Sequence, residues 1–267
     1  AGWNVHQEKW FQNPVMSKLK IRASYGELGA NFLNPYNFDA IAYGPIPYTV
    51  GGERYVTGRA AYLKSKDLKW ETAKTTDIGI ELGFFNNDLT LSLDYFVKKN
   101  VDLLAQIDLN LSSGQIFEIN SSREKPYVNT ASVKNTGWEF MMNYRKQLTK
   151  DFHIDATFNI ATLKNKVLSL GENVQPITSG AMSSYFNDAP SITMPGEAIG
   201  SFYGYKIDGF DAEGNFIFAD TDKNGVVNAN DKVILGSPIP DFTYGLNINM
   251  EYKDFDQPAS VEKVAVC

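Results

Sequence analysis

The sharpest chemical motif in this chain is a run of oxygen-bearing side chains, DTDKNGVVNAND, at 220–231. Its spacing fits the calcium loop of EF-hand and dockerin type, in which alternate residues and one backbone carbonyl offer oxygens to a hard cation. Gly225 takes the position where such a loop turns sharply, and Val227 is expected to pack inward. The predicted ligands are Asp220, Asp222, Asn224, the carbonyl of Val226, Asn228 and Asp231.

The predicted role of this calcium is to stiffen a loop rather than to catalyse a reaction. Asp231 stands where most EF-hands carry the longer Glu, which favours dockerin-like coordination of modest affinity. The alternative is a polar Asp/Asn/Gly loop between strands that holds no ion.

Segment 27–75 is a second candidate because it is rich in Tyr, Gly and Pro. Exposed rings there could stack on sugar rings or support a partner protein, and the alternative is a large loop packed on itself. The candidate ligand-loop residues are Tyr36, Tyr43, Tyr48, Tyr55 and Tyr62.

Catalytic arrangements are poorly supported, and we predict that the chain is not an enzyme. Its two histidines, His6 and His153, lie far apart in sequence, and no phosphate loop or HExxH pattern occurs. The net charge of -6 means that the chain has no excess of basic residues, which argues against nucleic acid as a partner.

Six segments alternate apolar and polar residues with the period of a β-strand, so each presents one apolar and one polar face. No run of about 18 apolar residues is present, which excludes a spanning helix. The segments lie at 17–26, 76–84, 89–98, 136–146, 152–160 and 242–252.

Three features favour a membrane barrel over a soluble sandwich, which would show the same alternation. The segments have about the length of a tilted strand that crosses a bilayer. Charges such as Glu81 and Asp94 stand near the middle of the polar face, as in a wet lumen. Aromatic residues such as Phe84 and Trp138 stand near the ends of the apolar face, as in interfacial girdles.

The connections between these segments alternate strictly in length. Those at 85–88 and 147–151 are short, whereas those at 27–75, 99–135 and 161–241 are long. Outer-membrane barrels join their strands by short periplasmic turns and long extracellular loops in this way. The predicted fold is therefore all-β, an antiparallel transmembrane β-barrel portion with an up-and-down meander and no plug domain.

Four stretches resemble segments of the SusC/RagA-like TonB-linked outer-membrane proteins, and their order and spacing also match. They are KLKIRASYGELG (18–29), LKWETAKTTDIGIELGFFNNDLTLSLDYFVKKNVDLL (68–104), NTASVKNTGWEFMMNY (129–144) and GSPIPDFTYGLNINMEYKDFD (236–256). The resemblance implies a location in the bacterial outer membrane and import of oligosaccharides or peptides. It also implies a SusD-like surface lipoprotein, contact with the lipid bilayer, and a TonB complex acting through an N-terminal part not contained here.

We therefore divide the chain into a partial barrel domain at 1–256 and an atypical tail at 257–267, which departs from strand alternation. The start at Ala1 favours a fragment. The leading hypothesis is a portion of a TonB-dependent importer. The alternative is a soluble secreted β-sandwich that binds glycans or acts as an adhesin, with a calcium loop.

Overall fold

The computed structural model describes residues 1–31, 42–60, 68–106, 127–171, 174–180, 189–253 and 255–265. Its main feature is an antiparallel sheet that contains nine strands in this part of the chain. Eight of them follow the order β1-β2-β5-β6-β7-β8-β16-β17, and β9 pairs with β7. The nine strands are β1 (Gly2–Asn4), β2 (Met16–Ala30), β5 (Glu71–Phe84), β6 (Leu89–Gln106), β7 (Tyr127–Thr149), β8 (Phe152–Thr162), β9 (Lys164–Ser169), β16 (Phe242–Tyr252) and β17 (Phe255–Ala265).

All six predicted segments are strands of this sheet, and each pairs with its expected neighbours. Four of the predicted segments are shorter than the strands that contain them. These strands, β2, β5, β6 and β7, extend several residues beyond the segments at 17–26, 76–84, 89–98 and 136–146. Hydrogen bonding between neighbouring strands needs no alternation of side-chain polarity, so the sheet extends past the point where the pattern stops.

The short connections are tight turns, as predicted. At 85–88 the N–H of Asp88 donates to the carbonyl of Phe85 (3.1 Å), and Asn86 and Asn87 adopt positive φ angles of 57° and 69°. Asparagine tolerates that region better than most residues. These turns therefore fix the register of the two strands that each of them joins.

The long connections carry strands of their own, which the sequence pattern did not predict. Three small antiparallel sheets occur in the described residues: β3 with β4, β10-β11-β12-β15, and β13 with β14. Their strands are β3 (Ala42–Val50), β4 (Glu53–Ala60), β10 (Ile177–Ser179), β11 (Ser191–Thr193), β12 (Ser201–Tyr205), β13 (Ile207–Phe210), β14 (Phe216–Phe218) and β15 (Lys232–Gly236).

The apolar face of the main sheet is uncovered, which decides between the two predicted architectures. Ile78 and Trp138 on that face are 54% and 52% exposed, and Leu93 is 40% exposed. The substantial contacts of these strands are with their hydrogen-bonded neighbours, and in the described part of the chain no second sheet seals the face. The soluble sandwich is therefore wrong, because its core would need such a sheet.

Aromatic pairs mark both ends of this apolar band. The rings of Tyr95 and Trp138 are 4.7 Å apart at one end, and those of Phe152 and Tyr252 are 6.4 Å apart at the other. Thr149, the β7 partner of Phe152, is eleven residues from Trp138. That separation is about 36 Å along a strand, or about 28 Å after a tilt of about 40°. It matches the apolar band of about 25 Å in membrane barrels.

The buried core is small and lies on the other face of the sheet, beyond this band. Val133, Val167 and Leu170 pack there with Leu103, Ala131 and Val174. None of the described helices is long and apolar enough to cross a membrane. Ile78, Leu93 and Trp138 lie on the opposite, uncovered face of the sheet, away from this core.

Residues 257–265 continue the sheet, although they were expected to lie outside its pattern. They belong to β17, which pairs with β16 from Tyr252↔Phe255 to Phe242↔Ala265. Pro258 lies opposite Asn249 in this outermost strand of the described sheet, and an edge strand tolerates a residue that lacks an N–H.

Candidate functional site

The predicted calcium loop connects β14 to β15 and includes a 3-10 turn at Ala229–Asp231. Asp220, Asp222 and Asp231 each direct a carboxylate oxygen to one point, where the three oxygens lie within 4.8 Å of one another. Oxygens that bind one Ca²⁺ at about 2.3–2.6 Å lie up to about 5 Å apart. The three carboxylates therefore fit a single hard cation.

Asp231 holds the loop together. Its side chain is fully buried, and it accepts hydrogen bonds from the N–H groups of Thr221 (2.7 Å) and Asn228 (2.8 Å). The N–H of Asn228, with those of Asp222 and Thr221, holds the pKa of this carboxyl below its ordinary value. Asp231 is therefore ionised at neutral pH, the form in which a carboxylate binds a metal.

The other three predicted ligands lie in the same loop but make hydrogen bonds to one another and to the backbone. The Nδ2 of Asn224 donates to Asp222 (2.7 Å), and the Nδ2 of Asn228 donates to the carbonyl of Val226 (3.1 Å). The structure thus brings together the three carboxylates of the predicted set, with the amides and the carbonyl bonded to their neighbours.

Two details of the loop test the expected calcium-loop geometry. Gly225 has a φ of 88°, so it makes the sharp turn that the motif requires. Val227 is 44% exposed. The expectation that it packs inward is wrong, because this loop joins two short strands at the surface and has no helix pair to pack against.

A charged cluster lines the polar face of the main sheet. Arg22 contacts Asp94 (2.5 Å), and Lys18 contacts Glu81 (2.7 Å). Asp94 is buried, and a Cβ added at Gly79 would stand only 1.9 Å from its Oδ1. The glycine therefore makes room for the buried carboxylate of this ion pair in the wall. Such a wall of paired charges presents a polar surface, as a wet lumen requires.

The predicted ligand-loop tyrosines fall partly outside the described residues. Tyr36 and Tyr62 lie outside them, as do the side chains of Tyr43 and Tyr48, whose backbone belongs to β3. Tyr55 lies in β4 opposite Tyr48, and its side chain is about half exposed. The aromatic ligand loop stays a prediction.

A second aromatic surface, which was not predicted, lies on the hairpin of β13 and β14. Phe210 and Phe216 are exposed, with ring centroids 5.4 Å apart, and the ring of Phe218 follows at 6.3 Å from Phe216. Asp211 closes the turn by accepting hydrogen bonds from the N–H groups of Glu213 (3.0 Å) and Asn215 (2.7 Å). The signal in the sequence is the turn-forming run DAEG at 211–214, with Phe210 before it and the apolar run FIF at 216–218 after it.

Comparison with known proteins connects this geometry to one family. The protein-family model described as "TonB dependent receptor-like, beta-barrel" matches residues 13–260 of this chain. TonB-dependent receptor P3 of Formosa agariphila is 34% identical over 272 residues, which cover 95% of this chain and 26% of that protein. TonB-dependent receptor SusC of Bacteroides thetaiotaomicron is 30% identical over 278 residues, which cover 96% and 26%. The chain thus spans about a quarter of the length of these relatives.

Solved structures show the same fold. The RagAB peptide importer in its open-open state aligns with a TM-score of 0.78 at 20% identity, over 98% of this chain and 27% of that one. The closed-closed state of the same importer aligns with a TM-score of 0.74 at 21% identity, over 98% and 28%.

Proposed function

This chain belongs to the TonB-dependent receptor-like β-barrel family, and from that premise we propose that it forms wall and outer loops of an importer of oligosaccharides or peptides. The family comprises receptors and transporters rather than enzymes, and its SusC- and RagA-like members are outer-membrane β-barrel proteins. The chain is accordingly an outer-membrane barrel portion.

The observation that carries the proposal is the difference between the two faces of the sheet. One face presents Ile78, Leu93 and Trp138 without cover, and the other carries the ion pair of Arg22 with the buried Asp94. The apolar face is suited to contact with the hydrocarbon of a bilayer, and the charged face is suited to contact with the water of a passage. Both demands are met together when the sheet separates lipid from water.

The proposed partners are a SusD-like surface lipoprotein and the TonB complex. Similarity to the TonB-dependent receptor SusC and to the RagAB peptide transporter supports both. The exposed rings of Phe210 and Phe216 add an apolar surface on the long connection between β9 and β16. By the alternation of short and long connections, that surface faces outside the cell, where a nutrient or a lipoprotein would meet it.

Nutrient depletion by living cells tests the proposal and separates its two substrate classes. Strains with and without the gene are given a mixture of oligosaccharides and a mixture of peptides, and mass spectrometry follows the loss of each compound from the medium. We expect the gene to accelerate the loss of one class and a protonophore to abolish that gain, since TonB-driven uptake depends on the proton gradient. Equal depletion by both strains would reject the function.

We further propose that the loop at 220–231 binds one structural Ca²⁺ through Asp220, Asp222 and Asp231, with Asn224, Val226 and Asn228 as additional oxygen donors. The convergence of the three carboxylate oxygens within 4.8 Å supports it. An extracellular loop can use weak sites, of about 10⁻⁴–10⁻³ M, because calcium is abundant outside cells.

Calorimetric titration of the detergent-solubilised receptor with calcium, and sensitised terbium luminescence, test this site. We expect saturable binding that D220A abolishes. Asp211 provides the matched control, because it is a partly exposed turn aspartate on the neighbouring hairpin outside the motif, and D211A should bind as the unmodified protein does. Absence of saturable binding, or equal binding by D220A, would exclude the calcium.

A further inference from the structure

The strand register places four lysines side by side across the sheet. Lys74 of β5 lies opposite Lys99 of β6, Lys99 lies opposite Lys134 of β7, and Lys134 lies opposite Lys166 of β9. Directly opposed residues have Cβ atoms about 4.5–5.5 Å apart. These residues, here called the lysine row, therefore form a continuous line of cations across four neighbouring strands.

The lysine row lies on the outward, apolar face of the sheet. Side chains alternate along a strand, so Lys134 shares the face of Trp138, and Lys74 shares the face of Ile78. Val133 and Val167, the neighbours of two row members, are buried on the opposite face. The row therefore points away from the lumen, toward the space that lipid occupies around the barrel.

The depth of the lysine row corresponds to the lipid headgroups. Lys134 stands four residues beyond Trp138, which with Tyr95 marks the outer end of the apolar band. Four residues of a tilted strand rise by about 10 Å. Headgroups occupy about 5–8 Å beyond the hydrocarbon, and a lysine stem lets its ammonium reach back into that layer.

Within the described residues, only one of the four lysines in the row has an anionic partner. Lys74 contacts Glu27 (3.0 Å), whereas Lys99, Lys134 and Lys166 make no ion pair within the described residues. Lys99 and Lys166 are exposed. Like charges directly opposite in a sheet are destabilising. A line of such pairs at headgroup depth is stabilised when an external anion lies across it.

A cleft beneath the row extends the same surface toward the hydrocarbon. It has a volume of about 420 Å³ and is lined by Tyr95, Trp138 and Lys164, with Asp241 as the carboxylate that faces it. Lys164 lies on β9 opposite Thr136, between the row and the aromatic pair. Aromatic rings below and ammonium groups above suit an amphiphile whose headgroup is anionic.

We propose that the lysine row binds the phosphate groups of anionic lipids in the outer leaflet, with the acyl chains lying along Tyr95 and Trp138. Charge complementarity and depth identify the ligand as a lipid, since a free phosphate would gain nothing from the apolar band below. The row holds an ordered patch of anionic lipid against this side of the barrel.

Quenching of Trp138 tests the proposal in the receptor isolated from outer membranes and placed in phosphatidylcholine nanodiscs. Phosphatidylglycerol with brominated chains is compared with brominated phosphatidylcholine, and W138F identifies the contribution of Trp138. A lysine at an anionic surface contributes at most about a fivefold gain in association, and the gain falls off within a Debye length, so we expect the three unpaired lysines together to yield at least about a tenfold preference for the anionic lipid. We expect K99Q/K134Q to reduce that preference to less than about twofold.

Lys98 offers the matched control, because it is an exposed lysine on the same strand whose side chain points to the opposite face. K98Q should keep the full preference, and about 1 M NaCl, which shortens the screening length to about 3 Å, should remove it. Equal quenching by the two lipids in the unmodified receptor would overturn the proposal. So would equal losses in K98Q and K99Q/K134Q, or displacement by millimolar inorganic phosphate beyond the effect of NaCl at equal ionic strength.

Discussion

Gly137 is a position in the main sheet where an added methyl group would meet backbone rather than a movable side chain. It lies in β7 opposite Phe96 and beside Thr162, where β8 ends. A Cβ at this position would stand 2.1 Å from the carbonyl oxygen of Thr162 and 2.8 Å from the ring of Phe96. The ring can turn, but the carbonyl can move only if the strand moves with it.

Two effects of opposite sign determine how much G137A changes the free energy of unfolding. Replacing glycine by alanine restricts the unfolded chain and stabilises by about 0.4–1 kcal/mol where the site accepts a methyl group. Overpacking costs about 1–3 kcal/mol. A shift of Thr162 would also break the hydrogen bond from the N–H of Trp138 to its Oγ1 (2.9 Å), which costs about 1 kcal/mol.

Gly26 is the matched control, since it lies in β2 and no atom lies within 4 Å of its added Cβ. We expect G137A to lower the free energy of unfolding by about 2–4 kcal/mol relative to G26A. Guanidinium unfolding of the receptor in phospholipid vesicles, followed by tryptophan fluorescence, measures the difference. Equal free energies for the two variants would refute the close approach of Thr162, and a full rescue by F96L would assign the clash to the ring alone.

Three further predictions follow from the charged groups. Hydrogen bonds from Asn215 lower the pKa of Asp211, so the turn it closes is stabilised above the ordinary carboxyl pKa and loosens as the pH falls from there through the lowered value; the protection of this hairpin from pepsin, measured at each pH relative to D211N, should therefore shrink below about pH 4. K134Q should raise the free energy of unfolding in neutral detergent by a few tenths of a kcal/mol, measured by guanidinium titration, because it removes two like-charge contacts; a decrease would contradict the repulsion. R22M should cost about 1–3 kcal/mol in the same titration, since it leaves a buried aspartate without its partner, whereas R145M, at an exposed pair, should cost less than about 1 kcal/mol; equal costs would contradict the difference in burial.

The alternation of residue types was sufficient to predict the strands that cross the apolar band. In β5, Ile78 and Ile80 face lipid while Asp77 and Glu81 face the polar side, and that contrast is strongest where one side meets hydrocarbon. Beyond the band both faces meet water or neighbouring loops, so the contrast fades. The outer parts of β6 and β7, and the small sheets of the long connections, therefore could not be predicted from periodicity.

The convergence of carboxylates in the loop at 220–231 was predictable for a different reason. Its candidate ligands lie within twelve consecutive residues, so local spacing alone brings Asp220, Asp222 and Asp231 near one another. The burial of Asp231 was not predictable, because it depends on how the chain folds back so that the N–H groups of Thr221 and Asn228 reach its carboxylate.

The alternation of residue types along a strand does not determine its register with the neighbouring strand. In this sheet the register decides which charged residues lie opposite one another. Alternation assigns Lys99 and Lys134 to the outward face, but a shift of two residues between β6 and β7 would preserve both faces and separate the two lysines. The same holds for Arg22 and Asp94, which lie on strands separated by β5 and meet across Gly79. A sheet that had to satisfy only lipid on one side and water on the other would be stable in several registers. The observed register adds an ion pair with a buried aspartate on the wet side and an opposed line of lysines on the lipid side. The second of these is unfavourable within the protein alone, and the anionic lipid surface proposed above would offset that cost.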